Sequence, residues 1–129
     1  LEKIKVKLDQ YELRLKKLIE LIHSFNSKVI LVTHSATGWW FIENSVLYGK
    51  DYVNEIDGEK YNGVDYYLFS RLLNAKSMEI CEKYDGICLD MDNELDLNNN
   101  DIYDWMHYNP SGAKKVGDYL HKKLKDRLN

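Results

Sequence analysis

Two residues near the end of the chain, Asp104 and His107, have the types and the spacing of a catalytic acid and base pair. A carboxylate three residues before an imidazole can accept a hydrogen bond from Nδ1 of the ring, which selects the tautomer with a free Nε2. In nucleophilic active sites that Nε2 takes the proton of the attacking hydroxyl. The spacing therefore predicts the base half of such a site. The alternative is a pair of ordinary polar loop residues that brace the start of a helix.

The nucleophile that such a base would serve has no clear motif in the chain. Ser35 is the best placed serine, because it directly follows an apolar run that predicts a strand. Residues 33–37 lack the glycines that a nucleophile elbow requires, so a turn hydrogen bond is the alternative role for this serine. His34 is a candidate for the lining of a substrate cleft, and a purely structural histidine is the alternative.

Aromatic residues follow the same segment. Trp39 and Trp40 are candidate substrate-binding residues, because aromatic faces offer large contact areas to a sugar or an acyl group. Packing of a long loop onto a sheet is the alternative role for these rings. Residues 40–63 predict an insertion-like loop with one short helix and turns at Asp57-Gly58 and Asn62-Gly63.

Hydrophobic periodicity predicts the elements that position these residues. Apolar spacings of three and four predict amphipathic helices at 1–25, 64–84 and about 110–128. The run 29–32 predicts a strand buried on both faces, and 87–89 predicts a second strand. Asn109 can cap the last helix, with Pro110 at its first position. The alternation predicts an α/β fold with parallel strands, in which functional loops leave the carboxyl edge of the sheet and at least one further strand comes from elsewhere.

Composition narrows the class of protein. With 129 residues, 44% of them hydrophobic and 30% charged, the chain predicts a single globular domain over residues 1–129. The net charge of -3 predicts no nucleic-acid partner, and no apolar run approaches the roughly 18 to 20 residues of a membrane span.

Cys81 and Cys88 lack metal-binding spacing, and buried free thiols are preferred over a disulfide. Residues 90–101 predict a solvated acidic loop, because Leu95 occupies the position where a calcium-binding EF-hand loop has glycine.

The pattern Asp104-x-x-His107-x-Asn109-x-x-Gly112, followed by an amphipathic helix, resembles the last motif block of the SGNH, or GDSL, hydrolase family. The preceding helices and strands, including a helix with Leu73-Asn74, resemble the C-terminal half of that family in order and spacing. The resemblance implies a flavodoxin-like three-layer sandwich with a parallel sheet. It also implies ester hydrolysis through a Ser-His-Asp triad and an acyl-enzyme, with His107 as general base and Asp104 as its orienting acid.

The same resemblance implies parts that these 129 residues lack. Neither a Gly-Asp-Ser motif, which would carry the nucleophile, nor a Gly-x-Asn-Asp motif occurs in the sequence. We therefore expect the nucleophilic serine and the oxyanion hole in an N-terminal segment of the same domain, upstream of residue 1, and no activity from this chain alone. The expected substrate is a small-molecule or carbohydrate ester, and the chemistry requires neither a metal nor an organic cofactor. The alternative from another class is a noncatalytic α/β module that binds a glycan or a protein partner.

Overall fold

The helices and strands of the computed structural model alternate largely in the predicted order, and the structure describes residues 2–34, 38–104 and 107–128. In chain order the elements are α1 (Glu2–Ser24), β1 (Ile30–Val32), β2 (Trp40–Glu43), β3 (Val46–Gly49), β4 (Asn54–Ile56), β5 (Glu59–Tyr61), α2 (Gly63–Lys83), β6 (Ile87–Leu89), α3 (Met91–Glu94), a 3-10 helix (Asn99–Asp101) and α4 (Pro110–Leu124). The chain forms two compact units. Unit 1 is Leu1–His34 with Arg71–Met91, and unit 2 is Ser35–Ser70 with Asp92–Asn129.

The parallel sheet of unit 1 confirms the α/β class. Strands β1 and β6 pair in parallel, with Ile30 opposite Ile87 and Val32 opposite Leu89. In the described residues this sheet has two strands, so each strand has one open edge. The prediction that β1 is buried on both faces is wrong, because Ile30 is 38% exposed and Leu31 and Val32 are only partly buried.

The core of unit 1 explains why the first helix forms. Ile19, Val29 and Ile80 are buried together, one each from α1, the segment before β1 and α2. Partly buried apolar side chains surround them: Leu15, Ile22, Leu31 and Tyr84. Full burial of one such aliphatic side chain stabilises a fold by roughly 1.5 to 3 kcal/mol. The apolar residues that recur every three or four positions in α1 therefore include those that pack against the sheet. Among the described helices, none is long and apolar enough to cross a membrane.

The two cysteines form a disulfide, so the prediction of free thiols is wrong. Cys81 lies in the last turns of α2 and Cys88 in β6, with their Cα atoms 5.8 Å apart. The helix ends at Lys83 and the chain reverses through Asp85, whose φ is 55°. A side chain at Gly86 would place its Cβ 2.8 Å from the Cys81 sulfur. The tight turn therefore brings the two cysteines within bridging distance, which their spacing alone did not show.

Two β-hairpins occupy residues 40–61, where a loop with a short helix was predicted, and that prediction is wrong. Strand β2 pairs antiparallel with β3, and β4 pairs antiparallel with β5. Their turn residues all have positive φ: 48° and 64° at Asn44 and Ser45, and 54° and 78° at Asp57 and Gly58. Two successive residues of this kind form the turn that matches the twist of paired strands. The Asp57-Gly58 turn was predicted correctly, but the short strands that it joins were not.

A close approach of two glycines joins the hairpin region to the start of α2. A Cβ on Gly63 would lie 2.0 Å from the carbonyl oxygen of Trp39, and one on Gly49 would lie 2.4 Å from the backbone nitrogen of Val64. Asn62 caps α2, because its side-chain oxygen accepts the Asp65 N–H at 2.9 Å while the Asp65 carboxylate accepts the Asn62 N–H at 3.0 Å. The Asn62-Gly63 pair is therefore the start of a helix, and its second residue must be glycine because a side chain there would collide with the Trp39 carbonyl.

Candidate active site

The Asp104 and His107 residues lie on a closed loop between the 3-10 helix and α4. Ile102 and Tyr108 form an isolated antiparallel bridge at its base. The Tyr103 N–H donates to the His107 carbonyl at 2.8 Å. Burial raises the pKa of Tyr108, which packs at this base. The loop thus has a short β-like base that fixes its two arms.

The Asp104 carboxylate holds His107 at two points. One oxygen, Oδ1, accepts the His107 backbone N–H at 2.8 Å. The other, Oδ2, lies 2.8 Å from Nδ1 of the ring. The ring is therefore oriented relative to its own backbone, and the tautomer that carries the proton on Nδ1 satisfies the bond. The predicted hydrogen bond is present, while the catalytic role of the two residues stays a prediction.

Both partners are open to solvent. The His107 side chain is 70% exposed and the Asp104 side chain 45% exposed. An exposed pair of this kind contributes at most about 1 kcal/mol, so it does not fix the loop that carries it. In this arrangement Nε2 is the ring nitrogen left to exchange a proton with a substrate or a nucleophile.

The start of α4 follows the loop directly and was predicted correctly. Asn109 is the N-cap, with its side-chain oxygen accepting the Gly112 N–H at 3.1 Å, and Pro110 follows at the first helical position. The Asn109 side-chain amide also donates to the Asn100 carbonyl at 2.7 Å. The cap therefore ties α4 to the 3-10 helix as well. The helix ends at Leu124 rather than at Leu128.

The prediction of a solvated acidic loop over residues 90–101 is wrong in two places: α3 is a helix whose Met91 is buried, and Asp101 is buried at 2% exposure. Its carboxylate accepts hydrogen bonds from the Ser111 hydroxyl at 2.9 Å and from the Lys115 ammonium at 2.7 Å. The Asn98 N–H donates to the same carboxylate at 3.1 Å. Lys115, with smaller contributions from the other two donors, holds the pKa of Asp101 below its ordinary value against the opposing effect of burial. The Asn98-x-x-Asp101 spacing of a capping box was the one sequence pattern that could have revealed this residue.

The backbone of Asp101 is equally constrained. Its carbonyl oxygen accepts the Asn109 N–H at 3.0 Å. A Cβ on Gly112 would lie 2.0 Å from that same oxygen. The glycine of the Asp104 to Gly112 pattern is thus needed for the close contact of α4 with the 3-10 helix.

The remaining predicted site residues fall outside this loop. His34 follows β1 in unit 1, is exposed, and its carbonyl accepts the Asn74 side-chain amide at 2.9 Å. At the same strand ends, the Thr33 hydroxyl donates to Asp90 at 3.0 Å. Ser35 lies outside the described residues. The structure therefore brings Asp104 and His107 together and assigns His34 to the other unit.

The aromatic residues are arranged around the first hairpin of unit 2. Trp39 and Trp40 each contact a tyrosine of α2, at ring centroid distances of 6.1 Å to Tyr66 and 4.6 Å to Tyr67. The Lys50 ammonium lies over the Trp39 ring, 5.0 Å from its centroid. Both tryptophans are half-buried and their rings contact α2, while their role in substrate binding stays a prediction.

No family model, curated protein or solved structure matches this chain. The function of this chain is therefore inferred from the geometry of its residues. Within the part of the chain that the structure describes, no group of three or more histidine, cysteine, aspartate or glutamate residues is arranged to hold a metal ion.

Proposed function

We propose that this chain provides the acid and base half of a serine ester hydrolase site. In this proposal His107 is the general base and Asp104 orients it, as the resemblance to SGNH hydrolases implies. The observation that supports the proposal most is the double contact of Asp104 with the His107 ring and backbone, both at 2.8 Å. Such a contact leaves Nε2 available for the proton of a nucleophile.

The reaction would proceed in two steps. A serine from an N-terminal segment outside these 129 residues attacks the ester carbonyl while Nε2 of His107 takes its proton. The protonated ring then gives this proton to the leaving alcohol, and an acyl-enzyme forms. In the second step His107 takes a proton from water and the hydroxide attacks the acyl-enzyme. The bond between the acyl carbon and the serine oxygen then breaks, the carboxylic acid leaves, and His107 returns the proton to the serine. Asp104 stabilises the imidazolium in both steps.

We further propose that the two-stranded sheet of unit 1 is part of a larger flavodoxin-like sheet in the complete protein. The parallel pairing of β1 and β6 supports this, because purely parallel sheets are normally covered on both faces. The exposure of apolar residues in unit 1 also supports it: Ile30 at 38%, Leu18 at 52% and Leu21 at 55%. Further strands and helices would cover such side chains.

Turnover of p-nitrophenyl acetate by the full-length protein tests the proposed reaction. We expect His107→Ala to lower kcat by on the order of 10⁴-fold, because the base of a triad cannot be replaced by water. His121→Ala is the matched control, since His121 is an exposed histidine on α4, and its rate should equal that of the unsubstituted protein. Equal rates for the His107→Ala variant would remove His107 from the mechanism. A complete protein without a Gly-Asp-Ser segment would also contradict the proposal.

A noncatalytic glycan-binding module is the second candidate, and one observation favours it. Phe41 and Tyr48 stack across the first hairpin, with centroids 5.0 Å apart and planes 13° apart. They are 48% and 44% exposed, so the stacked pair leaves aromatic area open to solvent. Glycan binding that Phe41→Ala abolishes, in a full-length protein without ester hydrolysis, would select this candidate over the enzyme.

A further inference from the structure

The geometry of the Asp104 and His107 pair must be maintained by something other than the pair. Both side chains are largely exposed, and water competes for every exposed hydrogen bond. The contacts at the base of the loop are backbone bonds whose geometry depends on how the 3-10 helix sits against α4. Whatever joins these two elements therefore controls the position of the ring.

Besides the Asn109 cap, the side chain that joins them is that of Asp101. From the end of the 3-10 helix its carboxylate contacts Ser111 and Lys115, which lie on the first two turns of α4. At 2% exposure it is nearly inaccessible to water, so its hydrogen bonds are not weakened by competing solvent. The same residue gives its carbonyl oxygen to the N–H of Asn109, two residues after His107.

We propose that Asp101 is a positioning residue for the Asp104 and His107 pair. The proposal rests on the proposed function for its catalytic meaning, but its structural content does not depend on turnover. Asp101 holds the 3-10 helix against α4, which sets the two arms of the loop at the separation where Asp104 reaches Nδ1 of His107. Loss of its carboxylate should release the ring before it unfolds the protein.

Asp101→Asn is a sharp test because the amide keeps the shape and changes the hydrogen bonding. The oxygen Oδ2 accepts from two donors, the Asn98 N–H and the Lys115 ammonium. An amide NH₂ at that position is itself a donor, so it could accept neither the Asn98 N–H nor the Lys115 ammonium. In the flipped orientation it would face the Ser111 hydroxyl, which can turn to accept, but the lysine would still lose its anionic partner.

Side-chain ¹⁵N NMR of His107 in the full chain at pH 9 measures the effect directly. The His107→Ala variant identifies the His107 signals among those of the four histidines. We expect the unsubstituted chain to show the Nδ1-protonated tautomer. Asp101→Asn should convert it to a mixture of tautomers and should raise solvent exchange of the Asn109 amide proton by about tenfold.

Two control variants separate positioning from general stability. Asp118→Asn removes an exposed carboxylate of α4 that pairs with Lys114, and Tyr119→Phe removes a hydrogen bond from the same helix to Glu94. Neither should change the His107 signals, even where Tyr119→Phe lowers Tm.

The outcomes distinguish this proposal from the proposed function. Unchanged His107 signals in a folded Asp101→Asn variant with lowered Tm would overturn the positioning role and leave the hydrolase proposal intact. A tautomer mixture in the Asp101→Asn variant of a full-length protein without esterase activity would support the positioning role and overturn the hydrolase proposal. If Asp101→Asn fails to fold, Lys115→Met with Lys114→Met as its control tests the same contact, and an unchanged tautomer in Lys115→Met would overturn the proposal.

Discussion

Gly112 and Gly117 lie five residues apart in α4, and the structure predicts opposite results for the same substitution at each. A Cβ on Gly112 would lie 2.0 Å from the Asp101 carbonyl oxygen, whereas a Cβ on Gly117 would have no neighbour within 4 Å. We expect Gly112→Ala to lower the free energy of unfolding by about 1 to 3 kcal/mol through overpacking. Gly117→Ala should raise it by about 0.5 to 1 kcal/mol, because alanine loses less conformational freedom in a helix.

Urea unfolding of both variants beside the unsubstituted chain checks this pair. Equal effects at the two positions would contradict the close contact between α4 and the 3-10 helix. A loss of stability at Gly112 beside a gain at Gly117 would show that packing against the 3-10 helix outweighs helix propensity at the first site.

At the residue scale, contacts between residues close in the sequence were predicted, and contacts between residues far apart in the sequence were missed. The Asp104 to His107 spacing and the Asn109 cap each depend on residues three apart, so they are visible as patterns. The partners of Asp101 are Ser111 and Lys115, ten and fourteen residues away. Because only the packing of α4 brings them together, the local capping-box spacing from Asn98 to Asp101 could not show that this carboxylate is the most buried of the described residues.

At the scale of elements, the Cys81–Cys88 disulfide should contribute measurable stability to unit 1. The disulfide closes a short ring and so lowers the conformational entropy of the unfolded chain. This loss raises the free energy of unfolding by about 2 to 3 kcal/mol. We expect a thiol reductant to lower the urea midpoint of the chain accordingly. A Cys81→Ala, Cys88→Ala double variant should unfold at the same urea concentration with and without the reductant.

The result that would contradict this prediction is a reductant-insensitive midpoint in the unsubstituted chain. That result would mean that the cysteines are free thiols, as predicted from the sequence. The two alternatives could not be separated from the sequence, since the turn through Asp85 and Gly86 that brings the cysteines together depends on a positive φ at Asp85.

The helices were predictable because their periodicity extends over many residues, and the three-residue parallel strands because each lies in a continuous apolar run. α1, for example, has 23 residues and a continuous apolar stripe. The hairpin strands have three or four residues each, which is too short for alternation to be distinguished from a loop. Their turns carried the usable information, and of the two hairpin turns only Asp57-Gly58 has a familiar sequence.

At the scale of the whole molecule, charged contacts predict how stability depends on pH. The pKa of Asp101 is held below 3.8 by Lys115, and that of Glu12 below 4.5 by Lys16 and Lys76. These carboxylates stabilise the fold at pH values above their ordinary pKa. Their contribution is lost as pH falls through the folded-state pKa. Contacts with Glu79 and Glu12 raise the pKa values of Lys76 and Lys16 above 10.5, so their contribution is lost as pH rises beyond that value.

The expected profile of unfolding free energy is flat between about pH 5 and pH 10 and falls on both sides. Thermal unfolding in a series of buffers measures it. The difference in Tm between the unsubstituted chain and Asp101→Asn isolates one group, and it should shrink as pH falls below 3.8, where the carboxyl gains its proton. A difference that stays constant down to pH 2 would show that the charge of Asp101 contributes nothing.

The disulfide has one further consequence for the integrity of the chain. Lys83 is exposed and lies inside the covalent ring that Cys81 and Cys88 close. A protease that cuts after this lysine would therefore nick the backbone without separating the two fragments. The N-terminal helix pair and the strand that pairs with β1 would remain one molecule after such a cut, and only reduction would release them from each other.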